Sequence, residues 1–457
     1  MFWARSDASR LASDNMMLTR TRGKPRAFWG PCGYNEQQNM WCESSMEKLQ
    51  QVDLLIARGD VKRADVLIAR KLRSALDTAE RADLMLRRAR VRLLSARPDD
   101  ALDDLQTVQK LLSGSGFETP QNMELLADCH LARFELASVG FADRQSLQVA
   151  EETYTRIIET YPQYGNLGWV YYQLGRVAMA SNQTERAVSL FQQALLSPAH
   201  VRALTAYCYE RLGFIAFYEW RDLDKAIGFL NRAVDTFPAS EDRAWLVQVH
   251  LRRSRVLRQM QDYEAALRSA ETSLALVSGG GVENRPVMAE TLLAIADLLT
   301  YIGHRDREIV SRLQQFMQYA KKPLGVDVTW SRVNEMLADA YFNLGLYDDA
   351  IAAYRAALQF NPDHPWEMSL LYRIASSYYQ QRAYQKCIEA VHSVLEVAKS
   401  DEQAVNYQVY EMLGAAQYAL GQYAKAIDSY ERALSLEPPE ANAAKINTYL
   451  EYARQRL

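Results

Sequence analysis

Six histidines, His130, His200, His250, His304, His364 and His392, are scattered along the 457 residues, with no pair at the four-residue spacing that aims two imidazoles at one metal. The five cysteines, Cys32, Cys42, Cys129, Cys208 and Cys387, include no CxxC pair, so neither a zinc site nor a dithiol redox centre is indicated. The run Gly279–Gly280–Gly281 lacks the following Lys-Ser/Thr of a phosphate cradle and reads as a linker. Walker, GxSxG, HExxH and EF-hand patterns are absent. No catalytic residue, cofactor or metal is therefore expected. What remains is recognition chemistry. Arginines at Arg87, Arg90, Arg133, Arg176, Arg252, Arg255 and Arg258 accompany aromatics at Trp169, Tyr172, Tyr207, Phe214, Phe217 and Tyr218. These residue types dominate binding energy at protein interfaces, and guanidinium groups suit carboxylate partners.

The elements that must carry them follow from spacing. Tyr410, Leu413, Gly414 and Gln417 fall three, four and seven apart on one helix face. Gly421 breaks the run, and Tyr423, Ala426, Ile427, Tyr430, Ala433 and Leu434 then outline a second helix that Pro438 ends. Gly414 and Ala426 are small because closely crossing helices leave no room there. A similar register recurs upstream at intervals of about forty residues, and a helix pair of that size buries its apolar face only by stacking on neighbours.

These residues resemble the tetratricopeptide repeat, whose pattern is aromatic, Leu-Gly, aromatic, Ala, aromatic, Ala and Pro. Leu337–Ala338, Tyr341, Gly345, Tyr347, Ala350, Tyr354, Ala357 and Pro362 repeat it, with Asn334 in place of the opening aromatic. Tyr171, Leu174–Gly175, Ala187, Phe191 and Ala194 give a third copy; Tyr209, Leu212–Gly213, Ala226, Leu230, Ala233 and Pro238 give a fourth with a longer turn. Weaker copies fill the gaps. The fold expected is all-α: a right-handed superhelical solenoid of about ten antiparallel helix pairs with a C-terminal capping helix. The pairs are placed at 45–78, 82–115, 125–164, 168–201, 206–240, 247–280, 289–322, 331–364, 368–401 and 407–440, with the cap at 441–457. Three irregularities are expected. Val139–Val149 should protrude as an over-long loop; Glu308, at the small position of 289–322, should shift or kink its helix; Cys387 replaces the small Ala. In the cap, Ile446, Leu450, Ala453 and Leu457 share one face.

The resemblance further implies that the first helix of each pair lines the concave face. The position after the small residue reads Asp53, Arg90, Arg133, Arg176, Phe214, Arg255, Asp297, Asp339, Ser376 and Ala415, with arginines in the amino-terminal half and a change of sign near Asp297. That pattern suggests a protein or peptide partner, acidic or aromatic-containing, held by the arginines and by an aromatic shelf around Phe214. The Lys/Asn clamp with which some members hold a chaperone's acidic tail is not found. The expected function is a non-catalytic interaction scaffold or adaptor. The alternative is a peptide-responsive sensor whose superhelix changes pitch, with Gly279–Gly281 as its hinge.

Composition agrees. Hydrophobic residues make up 49% and charged residues 24%, and no apolar stretch reaches the ~18 residues of a membrane span. A net charge of −3 lacks the basic excess that phosphate backbones demand, so nucleic acid is not expected. Residues 1–44, with Trp3, Trp29, Trp41 and Gly30–Pro31–Cys32–Gly33, show no apolar periodicity and are expected to be mostly disordered. Arg5, Asp7, Arg10 and Asp14 interrupt any signal-peptide core, which favours a cytoplasmic location.

Overall fold

The computed structural model describes residues 51–56, 60–74, 77–112, 116–137, 143–238, 243–278, 284–398 and 405–457. The expectations for 1–44, for Gly59 and for Gly279–Gly281 lie outside these residues. The described structure is all-helical, and the chain divides into two compact units, Met1–Asn284 and Arg285–Leu457.

In the first unit, residues 51–56 are helical and pack on α1 (Val61–Lys71). Five pairs follow: α2 (Thr78–Leu94) with α3 (Pro98–Leu112), α4 (Pro120–Leu136) with α5 (Arg144–Thr160), α6 (Leu167–Ala180) with α7 (Thr184–Leu196), α8 (Leu204–Tyr218) with α9 (Leu223–Thr236), and α10 (Ala244–Gln259) with α11 (Tyr263–Val277). The second unit holds α12 (Arg285–Ile302) with α13 (Asp306–Tyr319), α14 (Val328–Asn343) with α15 (Tyr347–Phe360), α16 (Glu367–Gln380) with α17 (Tyr384–Val397), and α18 (Tyr407–Ala419) with α19 (Tyr423–Ser435). The last helix, α20 (Glu440–Arg456), packs on α19. Successive first helices also touch: α2 with α4, α4 with α6 and α6 with α8 in the first unit; α12 with α14, α16 with α18 and α18 with α20 in the second. Within each unit first helices thus adjoin one another, as in a helix-pair solenoid.

Local chemistry sets the boundaries. Asp77, Asp222 and Asp327 cap α2, α9 and α14 by accepting the backbone N–H of Glu80, Lys225 and Trp330 at 2.7, 2.9 and 2.9 Å. Pro98 and Pro120 open α3 and α4, where a missing N–H costs nothing. Within pairs, a Cβ on Gly175 would stand 2.6 Å from the Phe191 ring, and one on Gly414 2.8 Å from Tyr430, so both positions are small by steric necessity. At the turns an edge-to-face aromatic contact recurs: Phe342–Tyr347, Tyr379–Tyr384 and Tyr418–Tyr423, at 5.6, 5.6 and 5.4 Å.

The irregular copies differ from the expectations. Arg144–Val149 is not loop but the first part of α5, started by Asp143, which accepts from Ser146 N–H; the extra residues lengthen the helix. In the copy at 289–322 neither helix breaks. Gly303 and His304 both take positive φ, 78° and 57°, where the next pair uses Gly345 alone, so the turn gains one residue. Ile309, Leu313 and Phe316 then face inward, and Glu308 sits between Arg305 and Arg312 at 2.6 and 3.3 Å. Asn334 is buried and donates to Trp330 O at 2.7 Å; Trp330, one turn earlier, supplies the aromatic against Phe316 and Phe360. Leu457 is 80% exposed, unlike Ile446, Leu450 and Ala453, because α20 ends before it. Cys129, Cys208 and Cys387 are free and buried, and burial pushes the Cys208 and Cys387 thiols up to about 12, which suits packing and not nucleophilic chemistry.

Candidate partner-binding face

The layer of first helices carries charge in a regular way. Arg87 on α2 makes a two-point pair with Asp53, 2.8 and 3.1 Å, across 34 residues. Arg176 on α6 pairs with Glu135 on α4 across 41 residues, and Arg252 on α10 pairs with Glu210 on α8. In the second unit Arg332 on α14 pairs with Asp297 on α12 across 35 residues, and Lys445 on α20 with Glu411 on α18 at 2.8 Å across 34. Each rung joins an acid of one repeat to a cation of the next. The predicted arginine ladder is therefore an ion-pair ladder, neutralised from within the chain at Arg87, Arg176 and Arg252.

Arg133 stands apart. It is 44% exposed and shared between Asp99 at 3.1 Å and Asp143 at 3.3 Å, both partly in water. Arg90, Arg255 and Arg258 are half-buried and engaged elsewhere. The aromatic residues are packed more deeply than a shelf requires. Trp169, Tyr172, Tyr207, Phe214 and Phe217 are all buried; Tyr218 alone of the six is half-exposed. Trp169 stacks on Tyr172 at 5.3 Å, Tyr207 meets Trp245 edge-on at 4.8 Å, and Arg211 and Arg252 lie over the Phe214 ring at 5.9 and 5.0 Å. Of the acidic-half positions, Asp297 is consumed by Arg332, whereas Asp339 accepts the Tyr354 hydroxyl at 2.5 Å.

Sequence reasoning missed a buried carboxylate pair on α4. Asp128 accepts from the Tyr154 hydroxyl, from Gln173 Nε2 at 2.9 Å and from Trp169 Nε1 at 3.4 Å. One turn away, Glu124 receives Asn166 Nδ2 at 3.0 and 2.9 Å on its two oxygens, while Asn166 Oδ1 accepts His200 N–H at 2.9 Å. The available signal was two acids four residues apart among Met123, Leu125, Ala127 and Leu131, where helix periodicity demands burial. Burial, then the Asp128 charge, pushes the Glu124 carboxyl up to about 8; burial raises Asp128 as well, against the Tyr154 hydrogen bond. These groups tie the α4–α5 pair to α6 and to the connection that follows α7.

The raised Glu124 value has a sign. A carboxyl raised on folding contributes stability that is complete below its ordinary value of 4.5 and is lost as pH climbs through about 8. Wild-type stability should therefore fall between about pH 5 and about pH 9 by more than that of Glu124→Gln, the difference being on the order of 3 kcal/mol. Urea midpoints across that range measure it, and parallel curves would contradict it.

Among the described residues no helix is long and apolar enough to cross a membrane, and no three His, Cys, Asp or Glu side chains are grouped to hold a metal. The fold and its charged layer define a helix-pair repeat protein. The tetratricopeptide repeat models match residues 172–241, 336–364 and 407–439, and the chain is a tetratricopeptide repeat protein. No curated protein sequence matches it. Similar solved structures include the apo quorum sensor NprR of B. thuringiensis, 15% identical over 71% of this chain and 89% of that one, TM-score 0.48. PH0952 from Pyrococcus horikoshii, a signal-transduction ATPase with a tetratricopeptide repeat sensor, is 16% identical over 83% of this chain and 55% of its own, TM-score 0.45. MamA is 20% identical over 43% and 94%, TM-score 0.34.

Proposed function

We propose that the protein is a non-catalytic scaffold that binds an extended segment of another protein along the first-helix layer of its first unit, with a preference for acidic segments. The observation that carries this reading is the continuous α2–α4–α6–α8 layer with a charged side chain after the small residue at Arg90, Arg133 and Arg176. Arg133 is the position best suited to a partner carboxylate. Its own acids are solvated, and such exposed pairs stabilise little, so exchange is cheap. Arg176 and Arg252 are held by the half-buried Glu135 and the buried Glu210 and serve the layer's rigidity. Tyr218 offers the accessible edge of the aromatic cluster.

Arg133→Glu should weaken capture of partners from a native extract by about tenfold. Arg186→Glu, on the second helix α7, serves as control and should change little. Retention of the same partners at the same strength by Arg133→Glu would remove this assignment.

A further inference from the structure

The exposed side of α1 carries charge of a single sign. Lys62, Val66, Arg70 and Arg73 recur at four, four and three residues, Arg73 continuing the line past the αR cap residue Leu72. With Arg63 beside them they form a stripe about 17 Å long, opposite the buried Ala64 and Ile68. All five are exposed, and Val66, at the centre, is 71% exposed. No acid interrupts the stripe. Asp60 pairs with Arg63 at 3.4 Å, and Asp65, on another side of the helix, lies 3.8 Å from Arg97. Lys62, Arg70 and Arg73 make no ion pair among the described residues.

Neither helix chemistry nor the pattern of the other repeats accounts for that charge. Cations in the last turn of a helix suit its dipole, as Arg70 does, but Lys62 and Arg63 occupy the first turn, where the dipole opposes them. The later second helices of the unit mix signs on their exposed sides, as with Glu152 and Arg156 on α5, Glu185 and Arg186 on α7, or Asp224 and Lys225 on α9. Cations there are answered from within the chain: Arg156 by Glu118, Arg186 by Glu151 and Lys225 by Asp222. On α1 the stripe instead offers guanidinium and ammonium groups around an apolar centre. Such a surface recognises carboxylates arrayed on one face of a partner.

We propose that α1 is a docking surface for an acidic helix of a partner protein. Carboxylates spaced by whole turns on such a helix match Lys62, Arg70 and Arg73, and one apolar residue among them packs on Val66. Other anionic partners fit the stripe less well. A phosphate backbone offers Val66 no apolar contact, and a single valine supplies too little apolar area to enter a bilayer. The surface lies on a second helix and not on the first-helix layer, so it stands independently of the reading of Arg133.

Fluorescence anisotropy with the full chain tests it, using three labelled eighteen-residue Ala-rich helical peptides. One carries four Glu and a central Leu on a single face, the second has Gln for those Glu, and the third distributes the same residues around the helix. The Glu-face peptide should bind about tenfold tighter than either control at low salt. Lys62→Glu/Arg70→Glu should lower that affinity about tenfold or more, with less effect as salt rises, and Val66→Ser should lower it several-fold at every salt concentration. Arg133→Glu should leave it unchanged. Circular dichroism establishes that the variants, all at exposed positions, are folded. Unchanged affinity in Lys62→Glu/Arg70→Glu, equal binding of the three peptides, or binding of none overturns the proposal. Loss of binding in Arg133→Glu alone also overturns it, while the first-helix reading stands. Vesicles containing phosphatidylserine, or a twenty-nucleotide DNA, that bind tighter than the Glu-face peptide and are lost with the same substitutions assign α1 to that partner class and overturn the proposal as well.

Discussion

Asp128→Ala should cost about 3–5 kcal/mol of stability, and Asp128→Asn markedly less. The carboxylate is the shared acceptor for Tyr154, Gln173 and Trp169, and none of the three donors has water to turn to. Deleting the acceptor strands buried donors and leaves a small void, each a recognised source of large losses. Asparagine keeps one oxygen for Tyr154 and Gln173, misplaces an amide against Trp169 and relieves the like charge on Glu124. Urea unfolding with tryptophan fluorescence reads both variants. An Ala variant within about 1 kcal/mol of wild type would mean that the network is not part of what holds α4, α5 and α6 together.

Tyr354→Ala should cost a comparable amount, about 3–5 kcal/mol, and Tyr354→Phe about 1 kcal/mol. Tyr354 is fully buried on α15, and its hydroxyl donates to Asp339 at 2.5 Å. Truncation opens a cavity at a position that several helix pairs fill with a large side chain: Tyr154, Phe191, Leu230, Leu313 and Tyr430 are counterparts, whereas α11 has Ala270 there. In a repeat array each pair contacts only its neighbours, so hydrogen-exchange protection should drop first in α14 and α15 and then in α13 and α16, which pack on them. Loss of protection spread evenly over both units would contradict this.

Much of this architecture was legible because close helix crossing restricts residue type. Gly175 beneath Phe191 and Gly414 beneath Tyr430 announce their pairs, since any side chain would collide. Where the restriction relaxes, so did the reading. Ile309 does the work assigned to Glu308 because one additional turn residue after Gly303 moves the register, and a fixed-length template does not count turn residues. The spacing predicts a loop over Val139–Val149, but from Asp143 on its described part is the cap and first turn of α5, which the template does not include. For the candidate face, the arginine positions could be read but their state could not. Their acids lie a full repeat away, Asp53 for Arg87 and Glu135 for Arg176, separations of 34 and 41 residues that only stacking turns into contacts. The aromatics near Phe214 pointed to an interface by type, and burial assigns most of them to packing.

The central claim is that partners bind on the layer of first helices. Photo-crosslinking measures that most directly, with a benzophenone side chain placed at Arg133 on α4 and at Glu152 on the second helix α5. In native extract, partner adducts should form from position 133 and be lost when excess Glu-bearing peptide is added; position 152 should give none. Adducts that form from position 152 alone, or equally from both positions and indifferent to the peptide, would contradict the account.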